Sequence, residues 1–240
     1  MAFSTHKAIT KPALTAALEA ARADRDGPIK ANADELAGYL DEFDTLPELI
    51  EDLVSAGEEA VFAMACLIDR VLGKAKRTDT SKKKLVVPDQ GFTLVTGDLA
   101  VAGQVQNGGV LMVLGDVAID GLYWDRDVGC LLIALGNVTT RRVNIYGGAY
   151  IQGNWRATEC FYGVDHSWSI YVGKTLASPL VLLEDKTVHA HKIAAKLQFG
   201  TRAESDAKAR SLLVPDVWTD GELDLEKLAD RICKDKRVFK

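Results

Sequence analysis

The sequence has no run of eighteen apolar residues, so no segment reads as a transmembrane helix. The opening stretch, MAFSTHKAITKPALTAALEA, has no apolar core bounded by a small-residue cleavage site, and no secretory signal is expected. Both absences point to the cytoplasm as the expected compartment. Cysteine is scarce: Cys66, Cys130, Cys160 and Cys233 show no CxxC spacing and read as reduced, mostly buried thiols.

Catalytic signatures are missing as well. No GxGxxG, GxSxG or HExxH occurs. Gly173-Lys174-Thr175 is similar to the end of a P-loop, but the first glycine of that motif would fall on Trp168. No serine or cysteine has a base beside it in sequence. Asp98, Asp116 and Asp120 mimic the carboxylates of sugar-cleaving β-helices, although a turn role accounts for the first two. His189 and His191 are the best metal candidates, because i and i+2 on a strand point the same way. A third ligand would have to come from His166, Glu184 or Asp185, and none is fixed by spacing. The expectation is a non-enzyme with no metal and no cofactor.

What is present is ordinary in amount and uneven in arrangement. Apolar residues are 48% and charged residues 26%, as in a soluble globular chain, and 240 residues suffice for a sizeable core. Residues 1–73 hold six basic and fourteen acidic side chains, net −8. Residues 74–84 (KAKRTDTSKKK) hold six basic and one acidic, net +5. A nucleic-acid binder needs its basic charge on a folded face, and a short tether does not supply one. Neither nucleic acid nor membrane is expected as a partner.

Residues 1–73 read as helices. Leu14, Ala17, Leu18 and Ala21 recur with helical spacing, and Pro12 suits a first turn. Asp26-Gly27-Pro28 breaks that helix, and a second short one fits Asp34–Leu40. Thr45-Leu-Pro-Glu48 is a capping-box pattern ahead of Leu49, Ile50, Leu53 and Val54. From Glu58 to Leu72 the chain stays helical, and Gly73 is the stop.

After the basic segment the period changes to 2 and a repeat appears. Gly97-Asp98, Gly115-Asp116, Gly136-Asn137, Gly153-Asn154 and Gly173-Lys174 follow at spacings of 18, 21, 17 and 20 residues. Three positions before each glycine stand Leu94, Met112, Ile133, Tyr150 and Ile170. Two after stand Leu99, Val117, Val138, Trp155 and Thr175, and four after stand Val101, Ile119, Thr140, Ala157 and Ala177. Such columns belong to stacked coils that share a core, since one coil alone is too thin to bury its inward side chains. The glycines are expected to turn corners with φ > 0, and the next Asp or Asn to bond local amides in that turn. The predicted fold is α+β: a helical domain at 1–73, a basic linker at 74–90, a β-solenoid (β-helix) of about five coils at 91–200, and a C-terminal helical cap at 201–240. Helical segments lie at 203–212 and from Asp224 onward.

The longest repeats carry extra residues at the same offset, Leu122–Gly129 and Phe161–Trp168. They place Tyr123, Trp124, Asp125, Arg126 and Asp127 near Phe161, Tyr162, Asp165, His166 and Trp168, two coils apart on one corner. Aromatics and arginine are favoured interface anchors, so this corner is the candidate partner-binding surface. The alternative is that the aromatics fold inward and cover the corner.

The coils LVTGDLAVAG, LMVLGDVAIDG and LIALGNVTTRRV resemble those of bactofilins, bacterial cytoskeletal proteins that polymerise by stacking bare solenoid ends. The chain is also similar to bacterial solenoid proteins with a helical N-terminal part and a closing segment like DGELDLEKLADRICKDKRVF (Asp220–Phe239), a group that resembles immunity proteins for secreted toxins. The second resemblance implies an immunity protein that occludes a toxin domain, and the acidic balance suits a basic target. The first implies a self-assembling scaffold, against which stand the helical segments expected to cap both solenoid ends. A monomer or small homo-oligomer is expected.

Overall fold

A computed structural model describes residues 8–24, 26–73, 77–125, 127–200, 207–234 and 236–240. Five helices open the chain: α1 (Lys11–Arg22), α2 (Pro28–Ala31), α3 (Ala33–Glu42), α4 (Leu46–Ala56) and α5 (Glu58–Leu72). Thr10 caps α1, accepting the Ala13 N–H. Thr45 caps α4, accepting the Glu48 N–H at 3.4 Å and donating to the Glu48 carboxylate at 2.6 Å. Gly57 (φ 122) then breaks the helix, as no residue with a Cβ does readily, and α5 begins. Nine of the fifteen residues of α5 are buried, because it lies between the other helices and a sheet.

Thirteen strands form one parallel coil: β1 (Thr80–Lys82), β2 (Leu85–Val87), β3 (Phe92–Val95), β4 (Leu99–Val101), β5 (Val105–Asn107), β6 (Val110–Val113), β7 (Val117–Asp125), β8 (Leu131–Ala134), β9 (Val138–Ile145), β10 (Gly148–Ile151), β11 (Trp155–Val164), β12 (Ile170–Glu184) and β13 (Val188–Phe199). They make a β-solenoid of about 7 turns, against the five read from the repeat. The extra turns are the first and the last. Residues 80–87, inside the expected linker, pair as β1 with β4 and as β2 with β5. Arg77 is likewise held, by Asp69 of α5 at 2.6 Å.

The coil has three faces. The first stacks β3, β6, β8, β10 and the starts of β12 and β13. The second stacks β1, β4 and the opening residues of β7, β9 and β11, and the third stacks β2, β5 and their closing residues. Bulges in β7, β9 and β11 carry each strand round the corner between these two faces. Leu111, Val113, Val117, Ile119, Tyr123, Leu132, Val143, Trp155, Phe161 and Val181 lie within the interior core. Leu94, Met112, Ile133 and Tyr150 do stack, but they point outward and form the floor on which the helices rest. Phe62 stacks on Tyr150 at 3.9 Å, and Glu58 accepts the Ser169 N–H at 3.1 Å.

In the last repeat the columns slip by one residue. Tyr150 pairs with Tyr171 in place of Ile170, Trp155 with Leu176 in place of Thr175, and Arg156 rather than Ala157 with Ala177. Lys174, not Gly173, takes the glycine position, and its N–H reaches Gly153 O.

The Gly-Asp/Asn motif has a different role from the expected one. None of its glycines has positive φ. Each Asp or Asn accepts the N–H of its counterpart one coil later: Asp98 N–H to Asp79 (2.9 Å), Asp116 N–H to Asp98 (2.8 Å), Asn137 N–H to Asp116 (2.6 Å), Asn154 N–H to Asn137 (3.0 Å) and Thr175 N–H to Asn154 (3.3 Å). Glycine is required because coil sits on coil: a Cβ on Gly115 would fall 2.7 Å from Gly97 O and against the Asp98 carboxylate.

After residues 201–206, which lie outside the described set, come α6 (Ala207–Leu212), a 3-10 turn (Pro215–Val217), a hairpin of β14 (Trp218–Thr219) and β15 (Glu222–Leu223), and α7 (Leu225–Cys233) capped by Asp224. Leu213, Val217, Leu228 and Ile232 bury against Cys160, Tyr162, Leu180, Leu182, Leu197 and Phe199, which are outward residues of the third face. Both helical segments therefore cover sides of the solenoid, and the expectation that they cap its ends is overturned.

Gly115→Ala is expected to destabilise the protein by about 1–3 kcal/mol, since overpacked backbone has nowhere to move. Asp116→Ala should cost about 1 kcal/mol through loss of its two exposed hydrogen bonds from Asn137, the N–H and the side-chain amide. Asp116→Asn should be nearly neutral, as an amide oxygen already serves at Asn137 and Asn154. Urea unfolding of the three variants checks this; equal losses for Asp116→Asn and Asp116→Ala would contradict the ladder.

Candidate interaction surface

The expected corner surface is largely internal. Leu122–Asp125 and Phe161–Val164 lengthen β7 and β11, and 127–129 and 165–168 form the turns that follow them. Alternation along those strands turns Tyr123 and Phe161 inward, where both are 0% exposed. They sandwich Trp155 edge-on, with ring centroids at 6.1 and 5.0 Å. The Tyr123 hydroxyl accepts from buried Asn107 at 3.1 Å. Tyr162 points outward but lies beneath the C-terminal segment, donating to Glu184 at 2.7 Å. Asp125 is 0% exposed, its carboxylate accepting N–H groups of Tyr146 (2.5 Å) and Gly147 (3.2 Å). These four residues cannot meet a partner. Trp124, Asp165 and Trp168 are half-buried, while Asp127 and His166 are exposed. Of these, Asp165 is engaged in its own turn, accepting the Ser167 N–H at 2.7 Å. Arg126 lies outside the described residues.

The inward column was legible from alternation: Tyr123 stands in register with Val105 and Val143, and Phe161 with Val143 and Val181. Asp125 stands in register with Asn107, a polar pair at one corner. No sequence signal marked Lys186, which is 5% exposed and donates to the carbonyls of Tyr146 (2.6 Å), Gly147 (3.0 Å) and Trp168 (3.1 Å). Burial pushes the Asp125 carboxyl up to about 8, opposed by its two amides and by Lys186. Burial also pulls the Lys186 ammonium below its ordinary range, opposed by Asp125. These two buried groups tie adjacent corners together.

The exposed feature that the stacking leaves is the last turn. Among the described residues β13, twelve residues long, pairs with β12 alone. In the preceding turn Ile170, Val172, Leu176 and Val181 are all buried. Their counterparts Val188, Ala190 and Ile193 are half-buried and Gln198 is exposed, because no further coil covers them. Ile170 N–H bonds Thr187 O, which places the N–H groups of Val188 and Ala190 on the side away from β12. His189 stacks on Tyr171 at 4.6 Å, and His189, His191, Lys192 and Lys196 are exposed. Among the described residues no three His, Cys, Asp or Glu side chains group as metal ligands. No described helix is long and apolar enough to cross a membrane.

Beside this edge, at the corner of the last three turns, lies a recess of about 380 Å³. Its floor is Ala157, Ala177 and Ala194, and Arg156 and Lys196 stand at its rim. At the opposite end of the solenoid the first turn exposes Lys82, Lys83, Lys84 and, at 52%, Val86. Compared with family models, curated proteins and solved structures, the chain matches none.

The buried acid gives a pH prediction. A folded-state pKa of about 8 lies above the ordinary carboxylate value of 3.8, so the native state holds a proton that the unfolded chain gives up. The stability this confers is full below about 3.8 and is lost as pH rises through about 8. Relative to Asp125→Asn, the wild type should lose stability steadily from pH 4 to pH 8 in urea titrations. Parallel curves for the two proteins would contradict it.

Proposed function

We propose that this protein is a non-enzymatic binding protein that holds a protein partner at the open last turn of its solenoid, in the manner of an immunity protein that occludes a toxin domain. The observation that supports this reading is β13, a twelve-residue strand with hydrogen-bonded strand neighbours on one side only among the described residues. Its closing residues Leu197 and Phe199 lie under the C-terminal segment, whereas its outer edge presents backbone donors and half-buried apolar side chains. An extended segment added to such an edge gains main-chain hydrogen bonds, and alternate side chains supply specificity. The immunity role itself comes from the resemblance of the coils and the closing segment. Of the described residues at the corner once expected to carry the contact, Trp124, Asp127, Asp165, His166 and Trp168 are at or near the surface.

A self-assembling scaffold like the bactofilins is the second reading, favoured by the same open end. The objection that helices cap the ends falls away, since they cover the sides. What weighs against it is charge, as both ends carry exposed lysines, a common device by which edge strands resist edge-to-edge pairing.

The test is a pull-down of tagged full-length protein from its native lysate, with neighbouring gene products included. Partners are identified by mass spectrometry, and the bait's oligomeric state by light scattering. The expected result is one stoichiometric partner of toxin-like character held by wild type and lost with Ala190→Pro, a variant first shown by circular dichroism and thermal melting to fold. Equal capture by Ala190→Pro would remove β13 from the account. Large polymers of bait alone would favour the scaffold.

A further inference from the structure

We infer that the strand taken up by β13 belongs to a different protein and carries an aromatic side chain in register with His189. Its ring continues a stack that runs along the first face of the solenoid. This rests on the reading of β13 as a partner-binding edge and adds the chemistry of the occupant to it.

One outward column of the first face joins Leu94, Met112, Ile133, Tyr150, Tyr171 and His189, each paired with the next. Its aliphatic members pack against the helical segment. From Tyr150 onward the column is made of rings. Phe62 of α5 lies on Tyr150 with ring centroids 3.9 Å apart, Tyr150 on Tyr171 at 5.2 Å, and Tyr171 on His189 at 4.6 Å. The interplanar angles are 17°, 17° and 15°, so the four rings make one continuous, near-parallel stack. Tyr150 and Tyr171 are half-buried, and among the described residues the stack ends at His189, which is exposed. Contact with solvent does not call for rings. Where the second face meets solvent it carries Ala100, Ala118 and Thr139.

The strand spacing of about 4.8 Å is also a ring-stacking spacing, so a strand laid on β13 would put one side chain directly over His189. Aromatic pairs between neighbouring strands add stabilisation beyond the area they bury. On either side of His189 the N–H groups of Val188 and Ala190 point away from β12 and call for carbonyl acceptors. The backbone of an added strand supplies those acceptors. Its residues flanking the ring would turn inward over Val188 and Ala190, both half-buried. The occupant therefore reads apolar, aromatic, apolar over three residues. A nucleobase would fill the ring position and leave the two amides unmatched. A second copy of this chain does not supply the ring either. Stacked head to tail it would present β3, whose residue in this column is Leu94, already packed against the helical segment.

The test uses two labelled, capped nine-residue peptides of alternating Thr and Val, with the central Thr replaced by Trp in one and by Leu in the other. Each is titrated into the full chain by fluorescence anisotropy, and hydrogen exchange is read at Val188 and Ala190. The Trp peptide is expected to bind about fivefold tighter than the Leu peptide, the scale of one added aromatic pair. Both peptides should slow exchange at the two amides. His189→Leu should bring the two affinities together, whereas His189→Phe should keep the preference, with thermal melting showing that both variants fold. Equal affinities for the wild type, or a preference that survives His189→Leu, would overturn the inference. If the two amides are protected in that case, the edge stands and only the ring is wrong. Failure of both peptides to bind, or binding without protection at Val188 and Ala190, would remove the edge and the inference together. Two further results would also overturn it. Tighter binding of single-stranded polyadenylate than of the Trp peptide would put a base on His189, and a concentration-dependent dimer protecting the same amides without peptide would make the occupant a second copy.

Discussion

Every part of this structure depends on parallel strands stacking coil upon coil, at the ~4.8 Å that backbone hydrogen bonding sets. That spacing leaves no room for a Cβ where one corner lies on the next, which is why Gly97, Gly115, Gly136 and Gly153 recur. It also lets a short side chain reach the amide of its counterpart, so Asp79, Asp98, Asp116, Asn137 and Asn154 form a continuous ladder. Three carboxylates at this spacing repel one another, and amide side chains at Asn137 and Asn154 keep the acceptor while dropping the charge. The ladder ends at Thr175, where Lys174 replaces the glycine, and the coil beyond it is the last.

Stacking satisfies a coil only from above and below, and this decides which surfaces the protein must cover by other means. The first face presents Met112, Ile133 and Tyr150 outward and is buried by α4 and α5. The third face presents Tyr162, Leu182 and Phe199 outward and is buried by the C-terminal segment. The second face presents small or polar residues such as Ala100, Ala118 and Thr139, which are exposed. The two ends remain. Exposed lysines stand at both, a common device by which edge strands resist edge-to-edge pairing.

Much of this was legible in the sequence. Spacing of 17 to 21 residues gave the solenoid, and the helical stripes and the Thr45 and Asp224 caps gave the helices where they are found. Three readings failed for physical reasons. Glycine suggests positive φ, but here close approach requires it. The column through Met112 and Ile133 is apolar because helices cover it, and composition alone does not tell an inward face from a covered outward one. The longer repeats suggested projecting stretches at Leu122–Gly129 and Phe161–Trp168, but the first half of each lengthens a bulged strand, and a bulged strand and a loop add residues alike. Pairing Tyr123 with Val105, and Asp125 with Asn107, would have shown the strand. The contribution of Lys186 needed the fold, since its three carbonyl partners lie 18 to 40 residues away.

The account turns on β13 being a free edge, and amide hydrogen exchange of the lone protein at low concentration tests that most directly. Val188 and Ala190, whose N–H groups point away from β12, should exchange orders of magnitude faster than the Ile170 amide, which bonds Thr187 O. They should slow at raised protein concentration only if copies pair. Protection of Val188 and Ala190 equal to that of Ile170 in the dilute monomer would mean that the last turn is already covered and that the binding edge does not exist.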